Sequence, residues 1–154
     1  MNLILLITGK YLIYLLFLFT AYILSQKFQR GNFAGVTRDS LTIFVSLVVG
    51  LIITWLVRTY YPIPRPFIED QTRPLIPHDP SPGFPSQHAV ISFILVSYFF
   101  TQSKKWGWLA LGVALLITGA RVYAKVHTIL DISAGAILAI AVYFVVSRLV
   151  RSKI

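Results

Sequence analysis

Apolar residues run along this chain in long blocks, with polar residues gathered between them. The blocks cover roughly 3–25, 40–58, 87–102, 106–124 and 129–149. Crossing the hydrocarbon core of a bilayer takes ~20 apolar residues in a helix, and each block approaches that length, the third least closely. A helix satisfies its backbone groups internally, which lipid requires of any spanning element. The pattern predicts an all-α fold, a polytopic membrane bundle of about five transmembrane helices, organised as one domain over residues 1–154. Lys10 interrupts the first block. Lys10 has two readings, facing the protein interior or reaching the interface; its long stem lets the charged tip reach the interface, so snorkelling is the expected one.

Between the second and third blocks the pattern changes. All eight prolines fall between Pro62 and Pro85. Proline fixes φ and removes a hydrogen-bond donor, so 59–86 is expected to hold no long regular element. A loop of that length is uncommon without a function, which points to a stiff rim over a site at one membrane face.

Composition supports the membrane reading. Hydrophobic residues make up 56% of the chain and charged residues 12%, against about 25% charged in soluble domains. With no cysteine, disulfides, zinc–thiolate sites and a cysteine nucleophile are excluded. The net charge of +9 does not indicate nucleic acid, because the basic residues sit at the ends of apolar blocks. The first block has no basic stretch before it and no clear cleavage site after it, so it is expected to be a retained helix.

The basic residues also choose an orientation. One set of block ends carries Lys27, Arg30, Arg38, Lys104, Lys105, Arg148, Arg151 and Lys153. The other carries Arg58, Arg65, Arg73, Arg121 and Lys125. The larger set is expected to be cytoplasmic, with the C-terminus, in a multi-pass cell-membrane protein. The N-terminus and the proline-rich loop then face outward, and the outward arginines oppose the bias, as residues kept for another purpose would.

That outward face gathers three clusters: Arg58 through Pro66, Pro85-Ser86-Gln87-His88, and Arg121 through Asp131. On a helix, His127 and Asp131 share a face ~6 Å apart along the axis. Asp131 accepts from one imidazole nitrogen there and leaves the other a better nucleophile or base. The planar forks of Arg58, Arg65 and Arg121 suit a phosphate group. Ser86 is a natural N-cap after a proline, and the backbone N–H groups behind it, that of Gln87 included, suit phosphate oxygens. The sequence leaves both uses of the Ser86 hydroxyl open, capping and substrate contact. His88 has no carboxylate near it in sequence and suits proton transfer to a leaving oxygen. The scarcity of carboxylates argues against a magnesium site; no cofactor is expected.

Each residue also has a plainer use. Arg58 alone reads as an interfacial anchor, His88 as a capped or packed polar residue, and Arg121 with Asp131 as an ion pair within the membrane. His78, Glu69, Asp70, Arg73 and Asp79 lie in the loop without a motif and read as solvated. Lys125 adds positive potential near the third cluster.

Together, the clusters resemble the type-2 phosphatidic acid phosphatase superfamily, whose pattern is Lys-x6-Arg-Pro, Pro-Ser-Gly-His and Ser-Arg-x5-His-x3-Asp. Here Arg58 stands at the lysine position, Gln87 at the glycine and Ala120 at the serine; the other positions match in order and spacing. The resemblance implies a metal-independent lipid phosphatase. His127 would form a phosphohistidine supported by Asp131, His88 would be the acid and base, and Arg58, Arg65, Arg121, Ser86 and Gln87 would hold the phosphoryl group. The run from Phe84 to His88 is similar to that of bacterial undecaprenyl diphosphate phosphatases, with phosphatidylglycerophosphate and phosphatidate as competing substrates. Most members have six helices, so this is a small version of the fold that implies a partner copy. The rival reading is a non-enzymatic transport or anionic-lipid-binding protein, which has no need of His88 and His127.

Overall fold

The computed structural model describes residues 3–152, and every regular element among them is a helix. In chain order these are α1 (Leu3–Leu6), a π-helical turn (Ile7–Tyr11), α2 (Ile13–Gln29), α3 (Phe33–Tyr60), α4 (Pro66–Glu69), α5 (Gln87–Gln102), α6 (Lys104–Tyr123) and α7 (Ile129–Arg151).

The starts of the long helices follow from short polar side chains. Asn32 accepts from Gly35 N at the head of α3, Ser86 from Ala89 N at α5, and Ser103 from Trp106 N at α6. Thr128 and Asp131 form a capping box at α7, each side chain accepting from the other's backbone N–H. Gly31, at φ +73°, turns the chain between α2 and α3 in a conformation that glycine adopts without steric cost.

Three helices, α3, α6 and α7, are long and apolar enough to cross a membrane; the α1–α2 pair, bent by 43°, makes a fourth if it counts as one span. The third apolar block forms α5, whose 16 residues give a length of about 24 Å, short of a ~30 Å hydrocarbon core. Its position explains why it need not span alone. It packs against α2, α3, α6 and α7, and Val90, Ile94, Leu95, Tyr98 and Phe99 are wholly buried. Large apolar residues on the outer helices, among them Trp55, Leu116, Ile137 and Phe144, stay exposed, as lipid-facing surfaces do. Gly135 lets α7 approach the head of α5: a Cβ there would lie 2.9 Å from the Ser86 carbonyl oxygen and 2.9 Å from Ala89 Cβ.

The helices alternate in direction, so the ends sort into two groups. At one end Lys27 pairs with the buried Asp39, Arg38 Nε lies 3.5 Å from the same carboxylate, and Gln102 donates to it at 3.4 Å. Arg148 and Arg151 close α7, while Lys153 lies outside the described residues. The other end holds the close of α3, the head of α5, the close of α6 and the head of α7. The loop over it is regular only at α4, as its prolines predict.

Candidate active site

The turn between α6 and α7 sets the centre of this end. After Tyr123, Lys125 N–H bonds to Val122 O at 3.0 Å and Val126 N–H to Arg121 O at 3.1 Å. Lys125 itself adopts φ +59°. This is a Schellman ending with a lysine where glycine is usual. It reverses the chain within a few residues and places His127 between Arg121 and Asp131. Lys125 turns away from the cavity and pairs with Asp70 at 3.0 Å, both half-exposed, so it gives little stability.

His127 is 2% exposed, and its two nitrogens face opposite chemistry. Nδ1 lies 3.3 Å from Asp131 Oδ2. Nε2 lies 3.2 Å from Arg65 Nη1 and 3.5 Å from Arg121 Nη2. Guanidinium groups only donate, so Nε2 carries the lone pair and Nδ1 carries the hydrogen that it donates to Asp131. Asp131 is held in turn by the backbone N–H of Thr128 at 2.7 Å. Burial first, then Arg121 and Arg65, push the His127 pKa down to about 4, while Asp131 pulls it up.

The arginines are aimed by backbone carbonyls. Arg65, 1% exposed, donates to Ser81 O at 2.8 Å, Val126 O at 2.8 Å and Pro82 O at 3.3 Å. Arg58 donates to Pro85 O at 2.9 Å and Gly83 O at 3.4 Å. The proline-rich loop thus supplies a row of acceptors that orients both forks. Gly83 sits in that row: a Cβ there would meet Arg65 Cγ at 3.1 Å. Burial first and Arg58 next lower the Arg65 pKa to about 10, with Asp131 and Asp79 opposing; it remains a cation near neutrality.

Arg121 ties the site to the start of the chain. Its Nη1 donates to Gly9 O at 2.9 Å and lies 3.4 Å from His88 Nε2; its Nη2 lies 2.9 Å from His78 Nε2. Its Nε is buried with no acceptor among the described residues. No Arg121–Asp131 ion pair occurs among those residues, which removes the plainer reading of that pair.

Arg58, Arg65, Arg121, Gln87, His88 and His127 line one cavity of about 230 Å³, along with His78, Asp79 and Ser81. Ser86 is not on its wall: the hydroxyl is fully buried and caps α5, accepting from Ala89 N at 3.4 Å. Ala120 is also off the wall and stands against Gly9, so the serine that it replaces would not face the cavity. Among the described residues no three of His, Cys, Asp and Glu gather as metal ligands.

His78 is the residue that the sequence reading missed. It was expected in a solvated loop, yet it touches Arg121 and sets its ring edge-on to His127, centroids 6.3 Å apart. Burial first, then Arg65, lower its pKa to about 4. The available signal was its place in a loop whose prolines hold it over the site. Lys10 is exposed and lines a cavity that shares Arg121 and His88.

Comparison with known proteins bears on this geometry. YbjG of Escherichia coli (strain K12) is 31% identical over 62% of this chain and 48% of its own length. The undecaprenyl-diphosphatase BcrC of Bacillus subtilis (strain 168) is 27% identical over 80% of this chain and 60% of its own. The bacitracin transport permease protein BcrC of Bacillus licheniformis is 38% identical over 43% of this chain and 32% of its own. The chain spans between 32% and 60% of the length of these relatives. No solved structure matches it. The family model of the PAP2 superfamily matches residues 39–154, which hold every residue of the three clusters, and the chain belongs to that superfamily.

Proposed function

We propose that the chain is a membrane lipid phosphatase that works through a phosphohistidine on His127, with undecaprenyl diphosphate as its substrate and undecaprenyl phosphate as its product. The observation that carries the reading is the orientation of His127. Its Nε2 lone pair points at two guanidinium groups, 3.2 and 3.5 Å away, while Asp131 takes the hydrogen on Nδ1. A neutral nucleophile facing two fixed cations suits a phosphoryl group, whose oxygens bind the cations while its phosphorus meets the lone pair.

In the first step the Nε2–P bond forms as the bond from phosphorus to the leaving oxygen breaks. Arg58, Arg65 and Arg121 hold the transferring oxygens, and the unused Nε of Arg121 gains an acceptor. The backbone N–H groups of Gln87 and His88, in the first turn of α5, add donors at a helix head. Asp131 stabilises the positive imidazole that forms. His88 gives the leaving oxygen a proton. In the second step water attacks phosphorus, His88 takes its proton, and the Nε2–P bond breaks to free phosphate and His127. None of these steps uses a metal ion.

The site is assigned to the outer membrane face. The support is electrostatic: Lys27, Arg30, Arg38, Lys104, Lys105, Arg148 and Arg151 lie at the opposite end, and such an excess marks the cytoplasmic side. The lipid assignment leans on the B. subtilis relative, named as an undecaprenyl-diphosphatase.

The test is phosphate release by detergent-solubilised protein from undecaprenyl diphosphate, phosphatidylglycerophosphate and phosphatidate, with EDTA present. Wild type is expected to release phosphate fastest from the diphosphate, and His127→Ala to lose at least ~1,000-fold, as removal of a nucleophile does. Undiminished release by the variant removes the nucleophile from this account. Release from none of the lipids supports a binding or transport role.

A further inference from the structure

The cavity at His127 is one of a connected series. A second cavity, of about 200 Å³, shares His78, Asp79, His88 and Arg121 with it and adds Lys10. A mouth of about 840 Å³ follows, sharing Lys10, His78 and Asp79 and adding Arg73. Arg121 therefore forms part of the wall on both sides of His78, and Lys10 is the next cation outward.

The chain places Lys10 there by a local irregularity. Leu12 N–H bonds to Ile7 O at 2.9 Å, five residues back, and the helix bends by 43° between its two halves. Such π-turns recur where a side chain must leave the regular helical stripe. Gly9, in the same turn, accepts from Arg121, which ties the backbone next to Lys10 to that guanidinium, and both residues line the second cavity. Among the described residues Lys10 has no ion pair; its ammonium lies 5.7 Å from the Tyr11 ring centroid. The one carboxylate on the wall of the second cavity is Asp79, which shares that wall with Lys10 and Arg121. The balance at that wall is cationic and suits a second anionic group.

We propose that Lys10 and Arg121 form a second phosphate subsite, so that the protein binds a lipid diphosphate with its terminal phosphate at His127 and its lipid-side phosphate between these two cations. The assignment of the terminal phosphate rests on the phosphohistidine reading above. Attack by His127 Nε2 on the terminal phosphorus breaks its bond to the bridging oxygen, and that oxygen leaves with the lipid monophosphate. Lys10 then neutralises charge that builds on the leaving group. A lipid monophosphate fills only the inner subsite and gains nothing from Lys10.

The test compares full-length wild type, Lys10→Met and Lys10→Arg on a prenyl diphosphate and the matching prenyl monophosphate. The ratio of kcat/KM for diphosphate over monophosphate is expected to fall about tenfold in Lys10→Met, the size of one lost charge-assisted contact, and to return in Lys10→Arg. An unchanged ratio, or equal losses on both substrates, overturns the subsite. Binding of methylenediphosphonate against inorganic phosphate, measured by calorimetry, separates this proposal from the hydrolytic one. If wild type hydrolyses neither lipid, the phosphatase reading falls, and the calorimetry decides the subsite. A diphosphonate preference that disappears in Lys10→Met sustains it; the same preference in both proteins, or none in either, overturns it.

Discussion

Arg121 Nη2 donates to His78 Nε2 at 2.9 Å, as short as the bond from its Nη1 to the Gly9 carbonyl. A neutral imidazole thus takes the place on the Arg121 fork that a phosphate oxygen would take. An incoming anion has to displace it. His78→Ala removes this internal competitor, and affinity for inorganic phosphate or vanadate is expected to rise about threefold or more, a fraction of the worth of a hydrogen bond to a charged group. Calorimetry on the solubilised protein reads this directly. Weaker binding by the variant would make His78 a ligand rather than a stand-in.

The same contacts show what the residue pattern made legible. The helical class, the three clusters and the Ser86 cap depend on local spacing, and each could be read from neighbours in the chain. His78 and Gly9 meet Arg121 from 43 and 112 residues away. Their partners follow from how a proline-rich loop folds and where a helix bends, and neither has a period. The carbonyls of Ser81, Pro82, Gly83 and Pro85 that orient Arg58 and Arg65 are backbone groups with no sequence signature at all. α5 matched its expected bounds, yet its central, sheathed position followed only from packing, since an apolar block looks alike against lipid and against protein.

The His127 pKa predicts where activity fails in acid. Burial and two guanidiniums hold it at about 4, below the ordinary value near 6.5. The nucleophile is therefore neutral at pH 5 and above in the free enzyme, and kcat/KM should lose activity through its protonation only as pH falls toward 4. Asp131→Asn removes a group that raises this pKa, so the acid limb should move lower still. The rate should also fall by ~100-fold or more, because the tautomer is no longer enforced. A wild-type limb assigned to His127 between pH 6 and 7 would contradict the arrangement. Stability should follow the same sign. The unfolded chain binds more protons than the folded one between about 4 and 6.5, so this contribution is complete above 6.5 and is lost as pH falls toward 4.

Ser86→Ala separates capping from substrate contact. The hydroxyl is wholly buried, off the cavity wall, and bonded to Ala89 N. Its loss should lower stability by about 1 kcal/mol, the usual cost of an N-cap. The expected signature is a reduced Tm with KM for the lipid changed less than about twofold, since a lost substrate contact would cost more than that. A rise of tenfold or more in KM with Tm unchanged would instead put the hydroxyl on the phosphoryl group.

Gly135→Ala tests whether the head of α5 must sit hard against α7. The added methyl would meet the Ser86 carbonyl oxygen and Ala89 Cβ, each at 2.9 Å. Neither yields easily: one is backbone in the first turn of α5, the other a short side chain on the same turn. Helix propensity favours alanine over glycine by about 1 kcal/mol, whereas overpacking costs about 1–3 kcal/mol, so the sum should be destabilising. The functional effect follows from what that turn carries. Ser86 N–H bonds to Asp131 O at 3.1 Å, and His88 begins the same helix, so pushing α5 from α7 moves His88 relative to His127. The variant should lose Tm and kcat together, with the monophosphate and diphosphate substrates affected alike. A stable variant with full kcat would show that the α5–α7 spacing has slack and that the two histidines are registered by the loop instead.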